Sequence, residues 1–163
     1  MSSKRQLTYP FVPRSTAFVL PGQFWAIPLS DGSFACGRVI ELRADGETGA
    51  SRLFLAAVMD WHDKKPPTFD SIAAARCLAQ GHAHIKVITK SGGAILGHRP
   101  LELDLIKPWE FRGAMFHVNS YVYRGLKLLR PQEPSDRSLP VLDTWGYRVP
   151  TIIAEERFVG NDS

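Results

Sequence analysis

Residues 21–39 decide the fold, and they read PGQFWAIPLSDGSFACGRV. The aromatic and branched side chains of residues 23–29 predict one strand, and residues 34–43 predict a second. Asp31-Gly32 lies between them and supplies the local hydrogen bond and the positive φ that a tight reversal requires. The stretch therefore predicts an antiparallel β-hairpin, in which Gly37 indicates a bulge or the close approach of another group.

Short apolar or alternating segments continue along the rest of the chain. Residues 53–59 are almost wholly apolar, which predicts a central strand covered on both faces. One helix is predicted over residues 72–79, with Thr68 or Asp70 as its cap and Gly81 as its stop. Further strands are predicted at residues 85–89, 94–96, 101–106 and 116–123. We expect a mainly β fold with one helix (α+β): a strongly bent antiparallel sheet, or a small SH3-like barrel, with the helix packed on it.

The composition changes towards both ends of the chain. Residues 1–20 contain two prolines and are predicted to be a lead-in arm. Residues 131–163 are predicted to be a Pro-rich C-terminal extension, with residues 152–154 as its only strand-like piece. Residues 21–130 remain as a single β-rich domain, which suits a chain of 163 residues.

The bulk composition restricts the class of protein. Hydrophobic residues make up 44% and charged residues 22%, which is typical of a globular chain. No apolar run approaches the roughly 20 residues of a membrane span, and no signal peptide is evident, so we expect a cytoplasmic location and no membrane partner. Cys36 and Cys77 are expected to be buried thiols in a reducing compartment. The net charge of +4 permits an acidic partner or nucleic acid, although Lys and Arg form no continuous block.

Residues that could carry catalysis or bind a metal are sparse. His82 and His84 would share one face of a strand, but no zinc-type spacing supplies further ligands. Trp61-His62-Asp63 could belong to a nucleophile–base relay, yet neither cysteine lies in a recognised nucleophile turn. The glycines of residues 91–97 are explained by a hairpin turn rather than by a phosphate cradle. We therefore expect no enzyme activity, no metal site and no cofactor.

Binding to another macromolecule is the remaining possibility. Aromatic side chains make up 10% of the chain, and arginines lie close to several of them in the sequence. Trp, Tyr and Arg contribute most of the binding energy at many protein interfaces. The same mixture on a small barrel would also suit RNA or single-stranded DNA.

The hairpin of residues 21–39 resembles the opening hairpin of bacterial immunity protein family twenty-six, from polymorphic toxin systems. The shared pattern is a Gly, a strand containing Ile-Pro-Leu, an Asp-Gly turn, an aromatic residue and Gly-Arg-Val. Residues 93–101, GAILGHRPL, resemble a later turn of that family. The resemblance covers residues 21 to about 130 and implies an inhibitor that binds a cognate toxin without catalysis.

The resemblance also directs the choice of candidate contact residues. Inhibitors of nucleases often present an acidic face, whereas this chain is basic overall. The resemblance therefore implies either a local acidic patch around Glu102 and Asp104 or a toxin that is not a nuclease. The predicted partner-binding residues are Trp25, Asp31, Phe34, Arg38, Glu102 and Asp104. The leading hypothesis is an immunity protein that neutralises a toxin, and the alternative is a small β-barrel module that binds RNA or single-stranded DNA.

Overall fold

The computed structural model describes residues 7–43, 53–113 and 121–160. Its larger sheet has six strands in the spatial order β5-β1-β2-β3-β4-β9. Neighbouring strands are antiparallel, except that β4 and β9 run parallel. The six strands are β1 (Gln23–Pro28), β2 (Phe34–Leu42), β3 (Leu53–Asp63), β4 (Cys77–His84), β5 (Ile95–His98) and β9 (Thr144–Trp145).

A smaller antiparallel sheet and two helices complete the described fold. The smaller sheet has the order β6-β7-β8, and its strands are β6 (Glu110–Arg112), β7 (Tyr121–Arg124) and β8 (Lys127–Pro131). The helices are α1 (Lys86–Thr89) and α2 (Val149–Phe158), and short 3-10 helices span Thr16–Phe18, Leu101–Asp104 and Pro134–Ser138. The predicted α+β class therefore fits, with two helices instead of one. Both sheets are open across the described residues, so neither forms a closed barrel.

The predicted hairpin is confirmed as β1 and β2. Its register runs from Pro28 opposite Phe34 to Phe24 opposite Arg38. Gly32 has a φ of +84°, the left-handed conformation that glycine adopts without steric cost. The tight reversal expected from the sequence is therefore present.

Strand β3 is central, as its apolar sequence predicts. It lies between β2 and β4, and its residues from Phe54 to Met59 are all buried. Phe54 belongs to the core cluster on one face of the sheet and Leu55 to the cluster on the other. The larger sheet is consequently covered on both faces here, which explains why residues 54–59 of β3 are apolar on both sides.

Gly37 is required by the packing of an aromatic ring. A Cβ atom at this position would lie 2.2 Å from Cε2 of Trp25, whose side chain is fully buried. The close approach predicted at Gly37 is therefore confirmed. Gly81 has the same role for Trp145, since a Cβ there would also lie 2.2 Å from a ring atom.

The helix predicted over residues 72–79 is wrong. Residues 69–74 form turns, and β4 begins at Cys77 and continues through Gly81, the predicted helix stop. Pairing with β3 explains the difference, because Val58 lies opposite Ala79 and Ala56 opposite Gly81. The local helix preference of alanine is worth only tenths of a kcal/mol per residue, and such a preference yields to the pairing and burial of a whole strand.

Three strand predictions are also wrong. Residues 86–89 form α1, and residues 101–104 form a 3-10 helix. Residues 152–154 lie in α2, which packs against β1 and β3 and buries Ala154. The strand predictions at residues 85–89 and 101–106 rest on alternating apolar residues, and alternation over four or five residues cannot distinguish a strand from one turn of helix.

Some predictions lie outside these findings. Most of the strand predicted at residues 116–123 falls outside the described residues, which resume with β7. The division at residues 20 and 130 stays a prediction, although residues 144–158 add β9 and α2 to the larger sheet and its core. No helix in the described part of the chain is long and apolar enough to cross a membrane.

Candidate functional site

A surface cavity of about 520 Å³ lies between the turns that precede β4 and the segment that follows β5. This volume falls within the range of 300–1,000 Å³ that is typical of ligand-binding clefts. Residues from two separate segments form its walls, which makes it a candidate site. Its lining residues are Ala74, Arg76, Cys77, Leu103, Asp104, Leu105, Ile106, Lys107 and Trp109.

Two leucines of the cavity are exposed to solvent. The relative exposure is 57% for Leu103 and 87% for Leu105. Both follow the buried Leu101 in the 3-10 helix and the turn after it. Apolar side chains grouped at the rim of a cavity are typical of a surface that binds a partner.

Two basic side chains at the same cavity are unpaired within the part of the chain that the structure describes. Arg76 and Lys107 are both exposed. Neither the guanidinium of Arg76 nor the ammonium of Lys107 has a hydrogen bond or an ion pair with another described residue. Their charges are therefore available to a molecule that approaches the cavity.

The carboxylate of Asp104 connects the two walls of the cavity. It accepts hydrogen bonds from Arg38 Nη1 at 3.0 Å, Arg99 Nε at 2.9 Å and Arg99 Nη2 at 3.1 Å. It also accepts one from the backbone amide of Ala74 at 2.8 Å, which belongs to the opposite wall. We call Asp104, Arg38, Arg99 and the Ala74 amide the Asp104 cluster.

The Asp104 cluster is almost wholly inside the protein. The side chains of Arg38 and Asp104 are both 0% exposed, and that of Arg99 is 11% exposed. Arg38 also donates to the carbonyl oxygens of Gly22 and Arg99. A buried charge is tolerated only when it is paired and hydrogen-bonded, and each charge of this cluster meets that condition.

Hydrogen bonding keeps the Asp104 carboxyl ionised. Burial alone would raise its pKa, but hydrogen bonds from Arg99, the Ala74 amide and Arg38 outweigh burial and lower the pKa below its usual value of 3.8. The positive charges of Arg38 and Arg99 thus surround one carboxylate. As a result, Asp104 contributes no acidic surface at the cavity.

The Asp104 cluster holds the backbone in two left-handed conformations. Ala74 has a φ of +62° and Leu105 a φ of +56°, and these are the described non-glycine residues with positive φ. Such a conformation costs roughly 1–2 kcal/mol for a residue with a Cβ atom. Asp104 binds the amide of Ala74 and precedes Leu105 in the chain, so the cluster constrains both positions. Strained residues of this kind concentrate at functional sites.

The thiol at the cavity is a poor nucleophile. Burial raises the pKa of Cys77 above its usual value of 9.0, and burial also raises that of Cys36 in the core beneath the sheet. The reactive species of a cysteine is the thiolate, so both groups are protonated near neutral pH. Cys77 therefore gives the cavity no activated thiolate.

A comparison with protein families identifies the class of this chain. A family model described as Immunity protein 26 matches residues 20–121, which is more than half of the chain. The chain belongs to the Immunity protein 26 family. The match includes every residue that lines the cavity. No curated protein and no solved structure matches the chain.

The family suggested by the hairpin of residues 21–39 is therefore confirmed.

The structure buries three of the six predicted contact side chains and leaves the other three at least partly exposed. Trp25, Arg38 and the side chain of Asp104 are buried, so a partner cannot reach them unless the fold opens. Asp31 and Glu102 are exposed, and Phe34 is half-buried. A role for these residues in binding stays a prediction.

Two of the predicted contact residues, Arg38 and Asp104, lie side by side in this Immunity protein 26 member. They are 66 positions apart in the sequence and form a buried ion pair beside the cavity. Of the two residues considered for an acidic patch, Glu102 and Asp104, the second adds no negative surface, because two arginines neutralise its carboxylate. Leu103 and Leu105, the exposed leucines of the cavity, are not among the predicted contact residues, because their alternation with acids suggests a half-buried strand.

The chain of polar groups around His62 is structural in this arrangement. Ser33 Oγ donates a hydrogen bond to Asp31, and His62 Nε2 lies 2.6 Å from the same Ser33 oxygen. A nucleophilic serine must instead give its proton to the histidine. The ring of His62 also stacks on Phe158 with centroids 4.9 Å apart, which joins α2 to β3.

His82 and His84, the pair considered as metal ligands, lie on β4. His84 Nδ1 accepts a hydrogen bond from the backbone amide of Lys86 at 3.1 Å, which engages one of its ring nitrogens. Within residues 7–43, 53–113 and 121–160, no three or more His, Cys, Asp or Glu side chains form a group suited to a metal ion.

Proposed function

We propose that this chain is the immunity protein of a polymorphic toxin system, which binds its cognate toxin and neutralises it by non-catalytic protein–protein contact. The observation that carries the proposal is the match of residues 20–121 to Immunity protein 26. The two free cysteines, Cys36 and Cys77, support the proposed cytoplasmic site of action, because the cytosol keeps thiols reduced.

The chemistry of the cavity supports binding instead of catalysis. Its exposed leucines can be covered by a partner, and its unpaired cations can meet carboxylates. Its cysteine is held as a thiol by burial. A protein that acts by occupying a toxin surface needs shape and charge, and these residues supply both.

Co-expression tests the proposal directly. The toxin domain encoded beside this chain's gene is expressed in a bacterial host, with and without the chain. We expect growth to be restored only when the chain is present, and a complex of the two proteins to elute together from a size-exclusion column. A catalytically inactive toxin variant serves as the control for growth. Persistent killing without a complex would refute the proposal.

The same preparation tests the nucleic-acid alternative. The purified chain is titrated with RNA and single-stranded DNA at about 50 mM and about 200 mM salt, since binding to phosphates weakens steeply with salt. A salt-sensitive shift together with failure to protect cells would favour the alternative.

A further inference from the structure

We infer that the cavity between the turns before β4 and residues 103–107 is the toxin-binding surface, and that it takes an apolar side chain flanked by carboxylates. This inference rests on the proposed immunity function and adds the site and the chemistry of its partner. The partner surface is therefore acidic, with a protruding apolar residue at its centre.

Leu105 is the first observation that points to a protein partner. Its side chain is 87% exposed, and its backbone lies in the left-handed region at a φ of +56°. Glycine or asparagine would adopt this conformation more easily, and a polar side chain would suit the solvent. The isolated fold thus gains nothing from leucine here, whereas a partner that covers the side chain gains apolar contact.

The charge at the cavity also points to an acidic protein partner. Asp104 lines the cavity, but Arg38 and Arg99 neutralise its carboxylate. Arg76 and Lys107 then provide the available charge among the lining residues, and both are exposed. A complementary surface carries Asp or Glu opposite these two cations, because like charges across an interface are strongly unfavourable.

The Asp104 cluster also holds the cavity in shape before a partner binds. The carboxylate of Asp104 binds the amide of Ala74 at 2.8 Å and thereby fixes the distance between the two walls. Arg99 extends the same network, since it donates to the carbonyl of Phe69 at 3.1 Å and lies 4.7 Å from the centre of its ring. A cavity fixed before binding avoids the entropic cost of ordering loops on association.

The positions of the leucines favour a protein over a small molecule. A small molecule inside the cavity would leave most of the Leu105 side chain in water. A protein surface can insert one anchor side chain into the cavity and cover Leu103 and Leu105 with the residues around that anchor.

The experiment compares variants of the cavity with matched variants elsewhere. Leu103→Ala and Leu105→Ala remove the apolar rim, and the pair Arg76→Gln with Lys107→Gln removes the charge. Leu128→Ala is the control for Leu103, because Leu128 is 58% exposed on β8, Leu103 is 57% exposed, and Leu128 does not line the cavity.

The readouts are affinity for the adjacent toxin domain, measured by calorimetry, and protection of growth. We expect Leu103→Ala and Leu105→Ala each to weaken binding about tenfold or more, and Leu128→Ala to change it less than about twofold. The charge variant should weaken binding at about 50 mM salt and show a shallower loss of affinity towards about 200 mM salt than the wild type. Urea midpoints equal to that of the wild type confirm that the variants fold.

Other outcomes overturn the inference and are distinguishable from failure of the proposed function. If Leu128→Ala abolishes the protection given by the wild type and the cavity variants retain it, the interface lies at β8 and the proposed immunity function is unaffected. If the wild type self-associates, and Leu105→Ala abolishes this association without changing the affinity for the toxin, the cavity is a contact between copies of the chain. RNA binding lost in the charge variant, again with toxin affinity unchanged, would assign the cavity to nucleic acid. A wild-type chain that neither binds nor protects would refute both proposals.

Discussion

Replacing Asp104 by asparagine tests whether the Asp104 cluster holds the cavity together. The substitution keeps the size of the side chain but removes the charge that faces Arg38 and Arg99. Both partners of the Arg38–Asp104 pair are 0% exposed, so water cannot replace the lost carboxylate. Glu102→Gln is the matched control, because Glu102 is an exposed carboxylate in the same segment.

The magnitude follows from leaving a buried cation without its counter-charge. Breaking a buried ion pair in this way costs about 3–5 kcal/mol of the free energy of unfolding. The asparagine oxygen can still accept one hydrogen bond, so we expect about 3 kcal/mol for Asp104→Asn. The control Glu102→Gln should remain within about 0.5 kcal/mol of the wild type, as is usual for an exposed side chain. A typical domain has only about 5–15 kcal/mol in total, so the effect of Asp104→Asn is large.

Urea unfolding at about pH 7 measures these free energies, with tryptophan fluorescence and circular dichroism as independent probes. Dependence on pH gives a second, more specific readout. The hydrogen bonds lower the pKa of Asp104 in the folded chain, so its contribution to stability is fully present above the unfolded pKa of about 3.8 and is lost as the pH falls through the folded pKa. The difference between wild type and Asp104→Asn should therefore shrink as the pH falls below 3.8. A loss under about 1 kcal/mol at neutral pH, or a difference independent of pH, would refute this account of the cluster.

Two further substitutions test the backbone and the core. Leu105→Gly should leave the free energy of unfolding unchanged or raise it by up to about 1 kcal/mol, because glycine relieves the left-handed φ of +56° and the lost side chain is 87% exposed. A loss above about 1 kcal/mol in urea unfolding would show that the leucine stabilises the free fold. Gly37→Ala should cost about 1–3 kcal/mol in the same assay, because its Cβ would lie 2.2 Å from the buried ring of Trp25, whereas Gly146→Ala meets no atom within 4 Å and should be nearly neutral. Equal stability of these two alanine variants would contradict the packing described for β2.

The elements predicted correctly are those whose evidence is local. The β1–β2 hairpin follows from Asp31-Gly32 and its flanking apolar residues, and β3 follows from an apolar run too continuous for a surface strand. Glycine also predicted close packing at Gly37. Each of these predictions depends on side chains within a few positions of one another, and the folded structure agrees with it.

The helix predicted over residues 72–79 is wrong, and the burial of Arg38 is not predicted, for a different reason. In each case a distant segment decides the outcome. Residues from Cys77 onward pair with β3, and the guanidinium of Arg38 meets a carboxylate 66 positions away. Charged side chains are usually exposed, and nothing near Arg38 in the sequence indicates that it is buried. Only the assembled fold shows that the pair is internal and that Leu105 is left outside.

Under the proposed function, the charge of the cavity restricts which part of a toxin this chain would cover. An active site that cleaves nucleic acid is basic, because it must bind phosphates, and an inhibitor that fills it presents acidic groups. Here the acidic candidate Asp104 is neutralised inside the fold, and the available charges at the cavity are those of Arg76 and Lys107. A toxin surface that complements this cavity is therefore acidic. Under the proposed immunity function, the chain would therefore either block a toxin whose active site is not built for phosphate, or bind a nuclease away from its phosphate-binding groove.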